Sequence, residues 1–331
     1  MKFNEIRHLL AAALLCAVVA FGAHAQVDAS FSHFWMGQSY YNPAVAGELN
    51  AIRLNVGSRM QWVEFKRSPT TVYFSADMPY KLLDVKLGVG AKAEYERMGL
   101  FTNTRIGAQL AWKRKIGKGY LSVGIQPGVF SQTFRGGEAQ PPSATDQASD
   151  SVGASSASDV PTNDVSGTVF DANVGVYYTH PRFWVSLSVT HVTSPTIELK
   201  ATREAIDVYE FDVRRSYYFM AGGNIPINNT LFEIQPSGMF ALTRNFWTAE
   251  VAARLRYNRM LSIGAGYRYK DAVTAFIGVN LKDAFIGYAY DYPVTPISKV
   301  TIGSHEVFVT YHVKLDTREK NKNKQKSVRL M

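Results

Sequence analysis

The chain has 331 residues, of which 46% are hydrophobic, 13% aromatic and 19% charged, with a formal net charge of +9. Its one cysteine, Cys16, rules out a disulfide framework and a thiolate metal site. A chain of this length exceeds the usual single-core domain, so two domains or one large barrel are required.

Residues 1–25 read as a signal peptide. Lys2, Arg7 and His8 make a basic start, 9–22 an apolar run enclosing Cys16, and Ala23-His24-Ala25 a small-residue cleavage site. Export with cleavage near Ala25 is therefore expected, which removes nucleic acid as a partner. No apolar run of about 18 residues follows, so no further helical span is expected.

Residues 26–49 form an N-terminal periplasmic or plug segment. It contains YYNPAVAG at 40–47, an Asn-Pro turn preceded by aromatics. Phe34, Trp35, Tyr40 and Tyr41 are expected either to tuck this segment into a barrel or to dock a periplasmic partner. Pro43, after Asn42, fixes the bend, and Gly47 permits close backbone approach.

From 50 to 315 the period is two. In 260–270, Leu261, Ile263, Ala265, Tyr267 and Tyr269 alternate with Ser262, Gly264, Gly266, Arg268 and Lys270. The runs 85–95, 182–191 and 272–281 alternate in the same way. One face is aliphatic, with aromatics at the segment ends (Tyr95, Trp112, Tyr178, Tyr257, Tyr269, Tyr292); the other is glycine, serine and charge. That pattern predicts an all-β fold, a transmembrane antiparallel outer-membrane β-barrel with a lipid face, aromatic girdles and a polar lumen. The segments are 50–62, 69–79, 84–96, 100–115, 119–134, 167–180, 182–197, 212–224, 230–242, 246–258, 260–270, 272–282, 284–292 and 303–315, about fourteen. Closure is the expected outcome, since lipid cannot satisfy an open edge.

The connections differ in length. KDA at 270–272 and again at 282–284, and Asn258-Arg259, are tight turns. Residues 135–166, rich in Ser, Ala, Asp and Pro, are expected to be a long disordered extracellular loop. Residues 316–331 carry six Lys/Arg against two Asp/Glu and form a basic periplasmic tail.

Enzyme chemistry finds no support. His305-Glu306 lacks the second histidine of a zinc helix, Gly88-x-Gly90 and Gly264-x-Gly266 open no helix, and no nucleophile elbow occurs. No catalytic residue, metal or cofactor is expected. The inward charges Arg53, Arg59, Lys92, Arg105, Lys113, Arg254, Arg256 and Arg268, with Glu94 and Glu250 opposing, predict either a self-satisfied lumen network or an anion-selective pore.

YNPAVAG (41–47) followed by RMQWVEFKRSPTTVYFSADMPY (59–80), with GYAYDYPVTPISKVTIGSHEVFVTYHVKL (287–315) at the end, resembles the PorP/SprF family of Bacteroidetes outer-membrane proteins. The resemblance covers the whole mature chain. It implies a component of the type IX secretion and gliding machinery, set in outer-membrane lipid. The implied partners are the periplasmic ring lipoprotein and its partner, an OmpA-like peptidoglycan-binding protein, and exported surface adhesins. It suggests that after cleavage YYNPAVAG lies at the periplasmic mouth, just before the first strand, and it adds Gln61, Trp62, Gly303, Ser304, His305 and Glu306 to the candidate docking or anchor residues. The expected role is a non-enzymatic scaffold or cargo-specific accessory; the alternative is a small-solute diffusion porin.

Overall fold

The computed structural model describes residues 28–315 except 84, 140–160, 162, 202–207, 229 and 245. The signal peptide, most of the loop assigned to 135–166 and the basic tail lie outside the described residues.

A short helix α1 (Gln38–Tyr41) and a 3-10 turn (Pro43–Val45) precede the strands. These are β1 (Ala51–Met60), β2 (Thr70–Leu82), β3 (Val85–Met98), β4 (Phe101–Ile116), β5 (Gly119–Phe134), β6 (Val165–His180), β7 (Phe183–Thr190), β8 (Thr196–Leu199) and β9 (Tyr209–Asp212). There follow β10 (Ser216–Gly223), β11 (Ile225–Pro226), β12 (Phe232–Thr243), β13 (Phe246–Tyr257), β14 (Leu261–Arg268), β15 (Ala272–Leu281), β16 (Ala284–Pro293) and β17 (Ser304–Lys314).

Fourteen of these strands close into one antiparallel barrel. β1 pairs with β17, from Ala51 opposite Lys314 to Met60 opposite His305, and β10 bridges β7 to β12. The two-residue β11 only extends the edge of β12. Closure leaves the wall no free edge, and the alternating side chains explain the rest. Outward positions such as Ile106, Val251, Ile263 and Ile277 are 54–61% exposed and face lipid. Tyr80, Trp112, Tyr257 and Tyr311 form an aromatic belt near one rim, with Tyr95, Tyr217, Tyr269 and Tyr292 near the other.

The two rims differ. One carries short turns, including Asn258 and Arg259, both with positive φ, and Lys282 at φ 55. The other carries the connections 61–69, 135–164, 191–215 and 294–303. The strand read at 182–197 is corrected here. β7 stops at Thr190, because His191 turns the chain with φ 54, and Thr196–Leu199 then pairs with Tyr209–Asp212 as a separate hairpin. Ile197 and Leu199 are buried against Phe130 and Val165 on the inner faces of β5 and β6. The hairpin therefore folds over the long-loop mouth instead of extending the wall.

Candidate functional site

The lumen is occupied by the chain's own residues 28–47. Polar inward faces on the strands would strand charges in a dry barrel unless something paired with them; the wall pairs most of them with each other, and this segment adds hydrogen bonds and the partners Asp28 and His33. It runs from the long-loop half, at Asp28, towards the short-turn rim, at Gly47.

Near the long-loop end, Asp28 accepts hydrogen bonds from Tyr218 Oη at 2.9 Å and Thr190 Oγ1 at 3.1 Å, and His191 Nε2 lies 2.9 Å away. His191 Nδ1 is 2.5 Å from Asp171 Oδ2. An imidazole with a carboxylate against each nitrogen needs a proton on both. Burial alone would lower the pKa of His191, but the charges and hydrogen bonds of Asp28 and Asp171 outweigh it and hold it at about 9. Burial likewise opposes ionisation of Asp28, yet His191 and Arg105 keep its carboxyl far below the usual range.

A second cluster forms around Ser32. Its Oγ donates to Asp291 at 2.8 Å and accepts from Arg59 Nη1 and Arg268 Nη2, each at 3.0 Å. Glu306 accepts the backbone N–H groups of Ser32 and His33 at 2.7 and 2.8 Å, with His33 Nδ1 at 2.7 Å and Arg59 Nη1 at 3.2 Å. Arg268 Nε donates to Glu250 at 2.9 Å. Two arginines thus face Glu250, Asp291 and Glu306, with every member at most 3% exposed.

The aromatics fill the middle of the lumen. Phe34 is fully buried; Trp35 stands edge-on to Phe276 at 4.6 Å, and the guanidinium of Arg254 lies 4.1 Å from its ring. Tyr40 packs edge-on against Tyr41 and Tyr73, and its hydroxyl donates to Glu94 at 2.8 Å. Lys92 Nζ donates to the Tyr40 carbonyl at 2.9 Å, and Tyr41 Oη accepts from Phe31 N.

The Asn-Pro turn is bound by its own side chain. Asn42 Oδ1 accepts from Ala44 N at 2.8 Å and so caps the 3-10 turn that Pro43 begins. Its Nδ2 donates to Val176 O and Ser186 Oγ on the wall, at 2.9 and 2.8 Å. Such contact needs wall strands without side chains. A Cβ on Gly175 would lie 2.1 Å from Asn42 Oδ1, one on Gly88 1.8 Å from Ala46 O, and one on Gly124 2.3 Å from Ala44 N. Gly47, at φ 65, ends the segment with its N–H on Asp77 Oδ2 at 2.7 Å, while Asp77 also holds Arg53. YYNPAVAG therefore lies inside the barrel, with Tyr40 and Tyr41 deep in the lumen beside Glu94 and Tyr218 instead of at its mouth.

Gln61, Trp62, Gly303, Ser304 and His305 sit apart from this segment, at the long-loop rim. Gln61 N donates to Pro69 O, Trp62 N to Ser304 Oγ, and Val63 N to Gly303 O. His305 faces outward, with Nδ1 2.6 Å from Tyr288 Oη. Of that group only Glu306 turns inward to meet residues 32 and 33. The strand alternation revealed the wall cations with Glu94 and Glu250, but not the wall carboxylates Asp77, Asp171 and Asp291, and Asp28, Ser32, His33 and His191 carried no local signal. Only an aromatic, bent leader before the first strand pointed to a plug.

Among the described residues, two cavities of about 20 Å³ each adjoin the segment, one lined by Asp28, Tyr40, Arg105 and His191, the other by Tyr41, Tyr218 and Met239. Each holds on the order of one water. Among the described residues, no three His, Cys, Asp or Glu side chains are grouped to hold a metal.

The model of the type IX secretion system membrane protein PorP/SprF matches residues 23–311. The chain belongs to the PorP/SprF family. No curated protein matches it significantly. Among solved structures, the barrel is similar to the toluene transporter TodX of Pseudomonas putida, at 12% identity, 89% of this chain, 96% of that one and a TM-score of 0.45. It is also similar to the outer membrane protein Omp33 of Acinetobacter baumannii, at 8% identity, 79% and 98% coverage and a TM-score of 0.40. As a PorP/SprF protein the chain is a membrane protein of type IX secretion, built as an outer-membrane type of β-barrel.

Proposed function

We propose that this PorP/SprF member is a plugged outer-membrane barrel that serves type IX secretion and gliding through protein contacts, as a non-enzymatic scaffold or cargo-specific accessory. The carrying observation is the lumen filled by residues 28–47, whose buried partners lie on strands all around the wall. A diffusion porin needs a continuous aqueous path, and one-water cavities do not supply it. Partners then meet the barrel at its rims: the periplasmic ring lipoprotein and its partner, or an OmpA-like peptidoglycan-binding protein, at the short-turn end, and an exported adhesin at the long loops. Barrels of this type put short turns in the periplasm, which supports that orientation.

In this reading Phe34, Trp35, Tyr40, Tyr41, Asn42, Pro43 and Gly47 anchor the segment and present nothing to a partner. Deleting 31–47 tests the assignment: a barrel that no longer folds supports anchoring, whereas a folded barrel that has lost secretion supports docking. The test of the function is affinity purification from detergent-solubilised native envelope. Recovery of secretion-ring components or of a surface adhesin is expected. Recovery of the barrel alone, conducting ions in a planar bilayer, would replace this reading with the porin.

A further inference from the structure

The lipid-facing wall is recessed where β5, β6, β7, β10 and β12 adjoin. The recess, about 500 Å³, is lined by small aliphatics (Val174, Val176, Leu187, Val189) beside the aromatics Phe219 and Phe240. Directly beyond it, at the long-loop rim, lies a second recess of about 490 Å³ lined by Arg214, Arg215 and Arg244. Tyr217 lines both. The two are close because the rim dips here: β7 and β10 have 8 residues each, against 16 in β5 and β6. Arg215 and Arg244 are each two residues from an outward apolar side chain, Tyr217 and Leu242, a rise of about 7 Å along the strand.

Three arginines lining one recess at the edge of an apolar band favour an anion. Among the described residues none of the three makes an ion pair; Arg215 Nε donates to Val192 O at 2.8 Å. Asp212, whose Oδ1 accepts from Thr196 Oγ1 at 2.8 Å, also lines the recess, so one carboxylate stands against three arginines and the recess keeps a net positive charge. Arginine matches phosphate oxygens in bidentate geometry, and clustered basic residues at a membrane surface recognise phosphorylated headgroups. An apolar recess alone would take any acyl chain, and an arginine pocket alone any small anion. Joined at Tyr217, they fit a molecule that is both.

We infer that this face of the barrel is a binding site for a phosphorylated acyl lipid, its chains in the recess of β6, β7 and β10 and its phosphate on Arg214, Arg215 and Arg244. The long-loop rim faces the outer leaflet in barrels of this type, so the occupant comes from that leaflet. The site lies on the outer face of the wall, with the plug seated on the inner face behind it.

The test is native mass spectrometry of the full detergent-purified protein titrated with diphosphoryl lipid A. A one-to-one adduct is expected. The triple substitution Arg214→Gln, Arg215→Gln and Arg244→Gln weakens it by roughly a hundredfold. Filling the groove with Val176→Trp and Val189→Trp weakens it as well, with the charges intact. Heat-dependent gel mobility verifies that each variant retains a folded barrel. Equal binding of the dephosphorylated lipid, full competition by inorganic phosphate, or no effect of either variant set would each overturn the site.

Discussion

Glu306 is the residue on which the plug's first turn hangs, since it accepts two consecutive backbone N–H groups and faces His33 and Arg59 together. Glu306→Ala strands all of these partners at once, and breaking a buried charge pair costs about 3–5 kcal/mol. A drop of that size in the stability of the detergent-solubilised barrel is expected from urea unfolding followed by tryptophan fluorescence. A loss below about 1 kcal/mol, the scale of a single neutral hydrogen bond, would mean that Glu306 is not the anchor. His191 makes a different, pH-dependent contribution. Its folded pKa, about 9, lies above its ordinary 6.5, so the stability it confers is complete below about 6.5 and is lost as pH rises through 9. The full effect is on the order of 3 kcal/mol. Protease access to the segment around Asp28 should increase between pH 7 and pH 10, and His191→Asn should be loose at both. An access profile flat with pH in the native protein would exclude this linkage.

At the scale of elements, the glycines of β3, β5 and β6 are where the wall yields to the plug. Gly175→Leu places a branched side chain where Asn42 now lies, and the 42–47 turn cannot remain seated. The barrel itself should still close, because β6 keeps its ladders to β5 and β7. Limited proteolysis is therefore expected to cut 28–47 in this variant while leaving the strands intact; resistance equal to the native protein would show that the turn is not seated through this contact. The same glycines mark how far the sequence was legible. A two-residue period exposes which face of each strand is apolar, so the barrel, its fourteen strands and its inward cations could be read directly, while the inward carboxylates Asp77, Asp171, Asp291 and Glu306 were not among the charges so read. Glycines in that period said only that the inner face was crowded, because what crowds them comes from more than forty residues away in the chain. The β8–β9 hairpin was misread for a related reason. Ile197 and Leu199 alternate as a wall strand would, and nothing local announces that His191 reverses the backbone and sends them over the mouth. Pairings such as Ser32 with Asp291, or Asp28 with His191, exist only after closure, so no spacing could have signalled them.

For the molecule as a whole, the plug and wall form one electrostatic system, and conduction follows from that. The wall carries Arg53, Arg59, Lys92, Arg105 and Arg268 inward, and against them Asp77, Glu94, Asp171, Glu250, Asp291 and Glu306. These are not a field of one sign. Arg53 pairs with Asp77, Arg105 with Glu94, and Arg268 with Glu250 within the wall itself, so most of the charge stays compensated when the segment is removed. An anion-selective filter requires an excess of unpaired cations along the path. The native barrel should accordingly be silent in a planar bilayer, and the Gly175→Leu barrel, with its plug cleaved after reconstitution, should conduct with little preference between potassium and chloride. Reversal potentials under a salt gradient measure that preference directly. A strongly anion-selective current would mean that the wall arginines are free to act on permeating ions, and that the paired network is not what the open lumen presents. A silent barrel after cleavage would mean that the folded-over β8–β9 hairpin closes the long-loop mouth by itself, leaving the plug to stabilise the wall instead of sealing it.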